Sequence, residues 1–99
     1  MVKGNPFTII YFIKNYMEDT YKSTIEYEDL NLISCLVLLD FPILSVNTRK
    51  YPQVGFIFGK TEMLERTVQK FFEGSLLVEP KNYWSKIREL KSRIKSIKN

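Results

Sequence analysis

The amino-acid sequence predicts an α+β domain: a small, mostly antiparallel sheet of about three strands packed with about four helices, in the order α-β-α-β-β-α-α. Three observations carry that expectation. Tyr21, Ser23, Ile25 and Tyr27 alternate with Lys22, Thr24, Glu26 and Glu28, the period-two pattern of a half-exposed strand. Two short apolar runs, Ile43–Val46 and Val54–Phe58, flank a polar connection with the composition of a hairpin link. On either side of these runs, apolar residues recur at three- and four-residue spacing, as they do on one face of a helix. The 99 residues fit a single domain, with residues 1–20 as an N-terminal helical addition and residues 21–98 as a core that ends in a basic helix. A hydrophobic content of 44% is ample for a compact interior at this length.

Taken in order, Asn5-Pro6 has the form of a cap followed by Pro at the first helical position, and Ile9, Phe12, Ile13, Tyr16 and Met17 follow at helical spacing. This predicts a helix over residues 6–18. After the strand that ends near Tyr27, Asp29 can cap a helix whose interior, Leu30 to Leu39, is apolar almost all round. A buried strand is the alternative for that segment. Phe41-Pro42 breaks it. Thr61 caps a further helix in which Met63, Leu64, Thr67, Val68, Phe71 and Phe72 share a face, and Gly74 supplies a left-handed stop. A short extended piece, Leu76–Val78, leads to Pro80, which opens the last helix with Tyr83, Ile87, Leu90, Ile94 and Ile97 three or four apart.

From about Tyr21 to Lys95 this succession resembles a known pattern. Lys22-Ser23-Thr24-Ile25 then Asp29-Leu30, the apolar helix, Gly55-Phe56-Ile57-Phe58, Phe72-Glu73-Gly74, Val78-Glu79-Pro80 and Arg88-Glu89-Leu90-Lys91-Ser92-Arg93-Ile94 carry the similarity. The family is one of short uncharacterised proteins from bacteria and their phages, described as a domain of unknown function. The resemblance implies an accessory protein of a phage or other mobile element and brings no catalytic residues with it.

The residue inventory narrows the chemistry. Without His, and with one Cys set in the apolar run Leu32–Leu39, neither Cys–His nor Ser-His-Asp catalysis can be assembled, and the usual zinc ligand sets fall as well. The four glycines, at positions 4, 55, 59 and 74, form no phosphate-binding loop. A lone Cys buried among apolar residues suits a reducing interior, and the N-terminal apolar stretch, broken by Thr8 and followed by Lys14, Glu18 and Asp19, has the form of neither signal peptide nor membrane span. The expectation is a soluble cytoplasmic protein with no cofactor, no membrane partner and no small-molecule substrate. Glu26, Glu28 and Asp29 are the remaining material for a hard-metal nuclease site, against the plainer reading of a charged strand face plus a helix cap.

Charge points elsewhere. Residues 81–99 carry seven basic residues against Glu89, a net +6, whereas residues 1–80 carry eight basic against ten acidic, a net −2. On the last helix Lys81, Arg88, Lys91, Lys95 and Lys98 run beside the apolar stripe with Trp84, the only Trp, among them. Cations that neutralise phosphates and an aromatic face on which a base can stack suit weak, sequence-nonspecific nucleic-acid binding without an enzymatic step. A merely solvated helix face, with Arg88 lying over Trp84, and a surface for an acidic protein are the competing readings. The alternative function is a protein–protein assembly module. Phe7, Ile9, Ile10, Phe12, Ile13 and Tyr16 cover so much of the first helix that self-association as a homodimer, or docking on a host protein, would bury them.

Overall fold

The computed structural model describes residues 23–97. Their order is β1 (Thr24–Tyr27), α1 (Leu30–Leu38), β2 (Ile43–Asn47), β3 (Gly55–Gly59), α2 (Glu62–Glu73) and α3 (Pro80–Ile97). The α+β class is therefore as the sequence predicts, with a three-stranded antiparallel sheet, but the described residues hold three helices rather than four, in the order β-α-β-β-α-α. The expected first helix, residues 6–18, lies outside the described residues, as do its self-association residues Phe7, Ile9, Ile10, Phe12, Ile13 and Tyr16.

The sheet order is β1-β3-β2, with β3 in the centre. Tyr27 and Val46 both oppose Phe56, and Ile25 and Ile43 both oppose Phe58, so one face of the sheet is apolar across all three strands. Ile57 opposes Glu26 on one side and Ser45 on the other, which makes the second face polar. A bulge between Ile43 and Ser45 inserts Leu44 into β2. The link from β2 to β3 closes on the bonds Tyr51 N–H to Thr48 C=O and Gln53 N–H to Lys50 C=O, with a cis Tyr51–Pro52 peptide bond between them.

Helix α1 forms where a strand was the alternative because its ends are capped at both sides. The Asp29 carboxylate accepts from the N–H groups of Asn31 and Leu32 at 2.9 and 3.3 Å. At the other end, Asp40 N–H donates to Val37 C=O and Phe41 N–H to Leu36 C=O, the paired bonds of a Schellman stop. Five consecutive residues of α1, Leu32 to Leu36, are buried, so it is enclosed around its whole circumference. Leu32, Ile33 and Leu36 join Val54, Phe56, Phe58, Leu64 and Leu90 in one core, which draws on α1, the sheet, α2 and α3.

Helix α2 presents a narrower face to that core than its sequence suggests. Leu64 is buried, Val68 and Phe71 pack against the core, but Met63 and Phe72 are 70% and 67% exposed. At about 100° per residue they lie some 80–100° off the line through Leu64, Val68 and Phe71, too far round to join the core described above. Phe72 instead meets the edge of Phe71, ring centroids 5.2 Å apart. Thr61 accepts from Leu64 N–H at 3.1 Å, and Gly74, at φ 77°, ends the helix as expected. The extended piece Leu76–Val78 pairs with no strand among the described residues.

The stop of α1 places Asp40 at φ 69°, where an L-residue is strained and where a carboxylate also faces the negative end of the helix. Asp40→Gly is therefore expected to stabilise the protein by about 1 kcal/mol. Urea unfolding checks this: the midpoint rises with the slope unchanged.

Candidate functional site

Helix α3 is positioned by its two ends and by one stripe. Pro80 occupies the first turn, where its missing N–H costs nothing, and the Glu79 carboxylate accepts from the N–H groups of Lys81 and Asn82. Ile87 and Leu90 are buried, and Ile94 and Ile97 pack against the core beyond them. Tyr83 donates its hydroxyl proton to Asn31 Oδ1 at 2.9 Å, which pins the first turns of α3 to the start of α1. With the apolar stripe turned inward, the rotation of the helix is set, and so is the place of every other side chain on it.

Lys81, Trp84, Arg88, Lys91 and Lys95 are all exposed. At about 100° per residue they fall within a band some 80° wide on one flank, next to the buried stripe, and they extend over about 21 Å of helix. Lys98 lies outside the described residues. Among the described residues the ion pairs are Lys60–Glu65, Arg66–Glu62 and Lys86–Glu89, so none of the four described cations of the band is engaged. Lys86 lies on the other flank of the helix and pairs at 3.4 Å with Glu89, which stands on the outward surface between the flanks and lines a shallow depression with Ser85, Arg88 and Ser92. Trp84 is 59% exposed and has no aromatic or cation–π partner among the described residues; Arg88 does not cover it.

The carboxylates of the strand side are placed differently. Asp29 is taken up by the α1 cap. Glu26 reaches across β3 and accepts from Asn47 Nδ2 at 3.2 and 3.3 Å, and its carboxylate lies directly over Gly55, in the space a Cβ there would need. Glu26, Glu28, Asn47, Lys50, Gln53 and Gly55 line an open groove of about 220 Å³. The structure thus brings Glu26 and Glu28 to one groove and leaves Asp29 out of it. Among the described residues no group of three or more His, Cys, Asp or Glu could hold a metal ion. The roles of Asn47 and Gly55 depend on strand register across β2 and β3, for which the local sequence carries no signal.

Among the described residues three titrating groups are shifted, all upward. Burial, followed by the charge of Asp29, pushes the Cys35 thiol up. Burial raises Tyr83, with Cys35 and Asp29 adding to it, and burial then Glu65 raise Tyr27. None of the three is poised to act as a nucleophile or base near neutral pH. No helix among the described residues is long and apolar enough to cross a membrane.

Two predictions follow from this geometry. Gly55→Ala will displace the Glu26 carboxylate and destabilise the protein, whereas in a Glu26→Ala background the same change will be neutral or stabilising; the urea midpoints of the four proteins measure that coupling. A raised folded-state pKa means that the folded protein holds the proton more tightly. The stability from Cys35, Tyr27 and Tyr83 is therefore complete below the unfolded values, roughly 8.5 for thiols and 10 for phenols, and is lost as pH rises through the folded ones. Urea midpoints should fall steadily above about pH 9, less so in Tyr27→Phe. No family model, no curated protein and no solved structure matches the chain.

Proposed function

We propose that the protein is a non-enzymatic accessory protein of phage or mobile-element type that binds nucleic acid weakly and without sequence specificity along the basic flank of α3. The observation that carries this reading is the band Lys81, Arg88, Lys91 and Lys95: four exposed cations on one side of one helix, with no acidic partner among the described residues. Four phosphate contacts release about four condensed counterions, which gives modest affinity and a strong dependence on salt. Three of the four cations are lysines, which act as point charges and hold a backbone in place rather than read base edges. The phage or mobile-element setting rests on the family resemblance of residues 21–95.

A titration of labelled DNA into the intact protein tests the reading. Log affinity for duplex DNA should fall with log salt at a slope of about −3 to −4. The pair Arg88→Glu and Lys91→Glu should weaken binding at least tenfold at low salt, by roughly the loss of half the contacts. Lys70→Glu, on α2, should leave it unchanged. Absence of binding at low salt, or equal loss in Lys70→Glu, overturns the reading and returns the protein to the assembly-module alternative.

A further inference from the structure

The flank of α3 carries more than charge, and its asymmetry selects among polyanions. Measured along the axis from Lys81, Trp84 stands at about 4.5 Å, Arg88 at 10.5, Lys91 at 15 and Lys95 at 21 Å. The indole thus lies between cations, not at the end of them. The residue is 59% exposed, with neither an aromatic partner nor a cation over it among the described residues, so apolar ring surface is presented to whatever the cations draw in.

A duplex makes poor use of such a face. Its bases are stacked on one another, and a flank lying against it meets only sugars and phosphates. A helix seated in a major groove would be walled by phosphates on both sides. The side of α3 opposite the band offers Arg93, together with a Lys86 already paired to Glu89. The outward surface between the two flanks holds Ser85, Glu89 and Ser92. A carboxylate there repels the backbone it would have to approach.

We infer that the partner of the α3 flank is single-stranded nucleic acid, its backbone held by Lys81, Arg88, Lys91 and Lys95 and one unstacked base lying on the face of Trp84. This rests on the polyanion reading above and adds the kind of strand. A single strand offers one line of phosphates, which matches a one-sided line of cations, and bases free to turn onto an aromatic ring. Stacking of this kind is tolerant of base identity, since every base has a π-face, so it strengthens binding without adding sequence specificity.

Because the chain has a single Trp, its emission reports this site alone. The intact protein is titrated at low salt with oligo(dT) and oligo(U) of about fifteen nucleotides and with a duplex of equal length, next to Trp84→Ala, Trp84→Phe and the pair Arg88→Glu with Lys91→Glu; circular dichroism verifies the fold of each. The expected result is quenching of Trp84 by either single strand, with tighter binding than to duplex. Trp84→Ala should lower single-strand affinity roughly 5- to 100-fold and leave duplex affinity in place, while Trp84→Phe keeps most of it. If duplex binds as well as the single strands, and Trp84→Ala alters neither while the charge-reversed pair weakens both, the single-strand inference fails and the polyanion reading stands. If no nucleic acid binds at low salt, both fail.

Discussion

The arrangement depends on covering α1. Five consecutive buried residues cannot share one face of a helix, because successive side chains point about 100° apart. Leu32 to Leu36 therefore have to be enclosed from several directions at once. The apolar face of the sheet, through Phe56 and Phe58, supplies one wall, Leu64 of α2 another, and Leu90 of α3 the closing one. Ser34 is the single polar side chain in that sequence of five, and it satisfies itself by donating to Leu30 C=O at 2.8 Å within the helix. Removal of any one wall would expose a surface with no polar side to turn outward.

That requirement sets the surface that α3 turns outward. Helix α3 is recruited to close the core with a stripe one residue wide per turn, and Tyr83 fixes its rotation through Asn31. The stripe leaves most of the circumference outside. Placement of the cations on one flank, beside the stripe and not opposite it, keeps their alkyl stems near the protein body while the charged ends reach water. The band therefore contributes little to folding, since isolated exposed charges alter stability by tenths of a kcal/mol. Its composition can serve a partner without a conflict with the core.

How far this was legible beforehand differs by feature. The class, the hairpin, the Gly74 stop and the α3 stripe could be read because each is encoded within a few neighbouring residues: alternation, a turn composition, a left-handed position, a spacing of three or four. Exposure of the band followed from the same spacing. The core-facing side of α2 is narrower than its sequence indicates, because Met63 and Phe72 are apolar whether or not the core stands where they point, and only the tertiary arrangement decides that. The Glu26–Asn47–Gly55 contact was beyond reach for a related reason. It joins three strands through a register that a bulge at Leu44 shifts, and no local pattern reports such a shift. The Asp40 stop was hidden as well, since a Gly is the usual signal and Asp stands in its place.

The shape of the surface also limits how it can act. A single convex helix flank excludes no water and encloses no ligand, so its contacts remain in high dielectric, where each is worth little alone. On the proposed reading, affinity would come from the number of phosphates met at once and from what an aromatic face can add, and it would be surrendered readily when salt rises. Dissociation under such conditions would be fast, and bases would not be interrogated by their edges. A protein built this way would cover or accompany a strand rather than find a site on it, and the chemistry that acts on that strand would have to be supplied by another molecule.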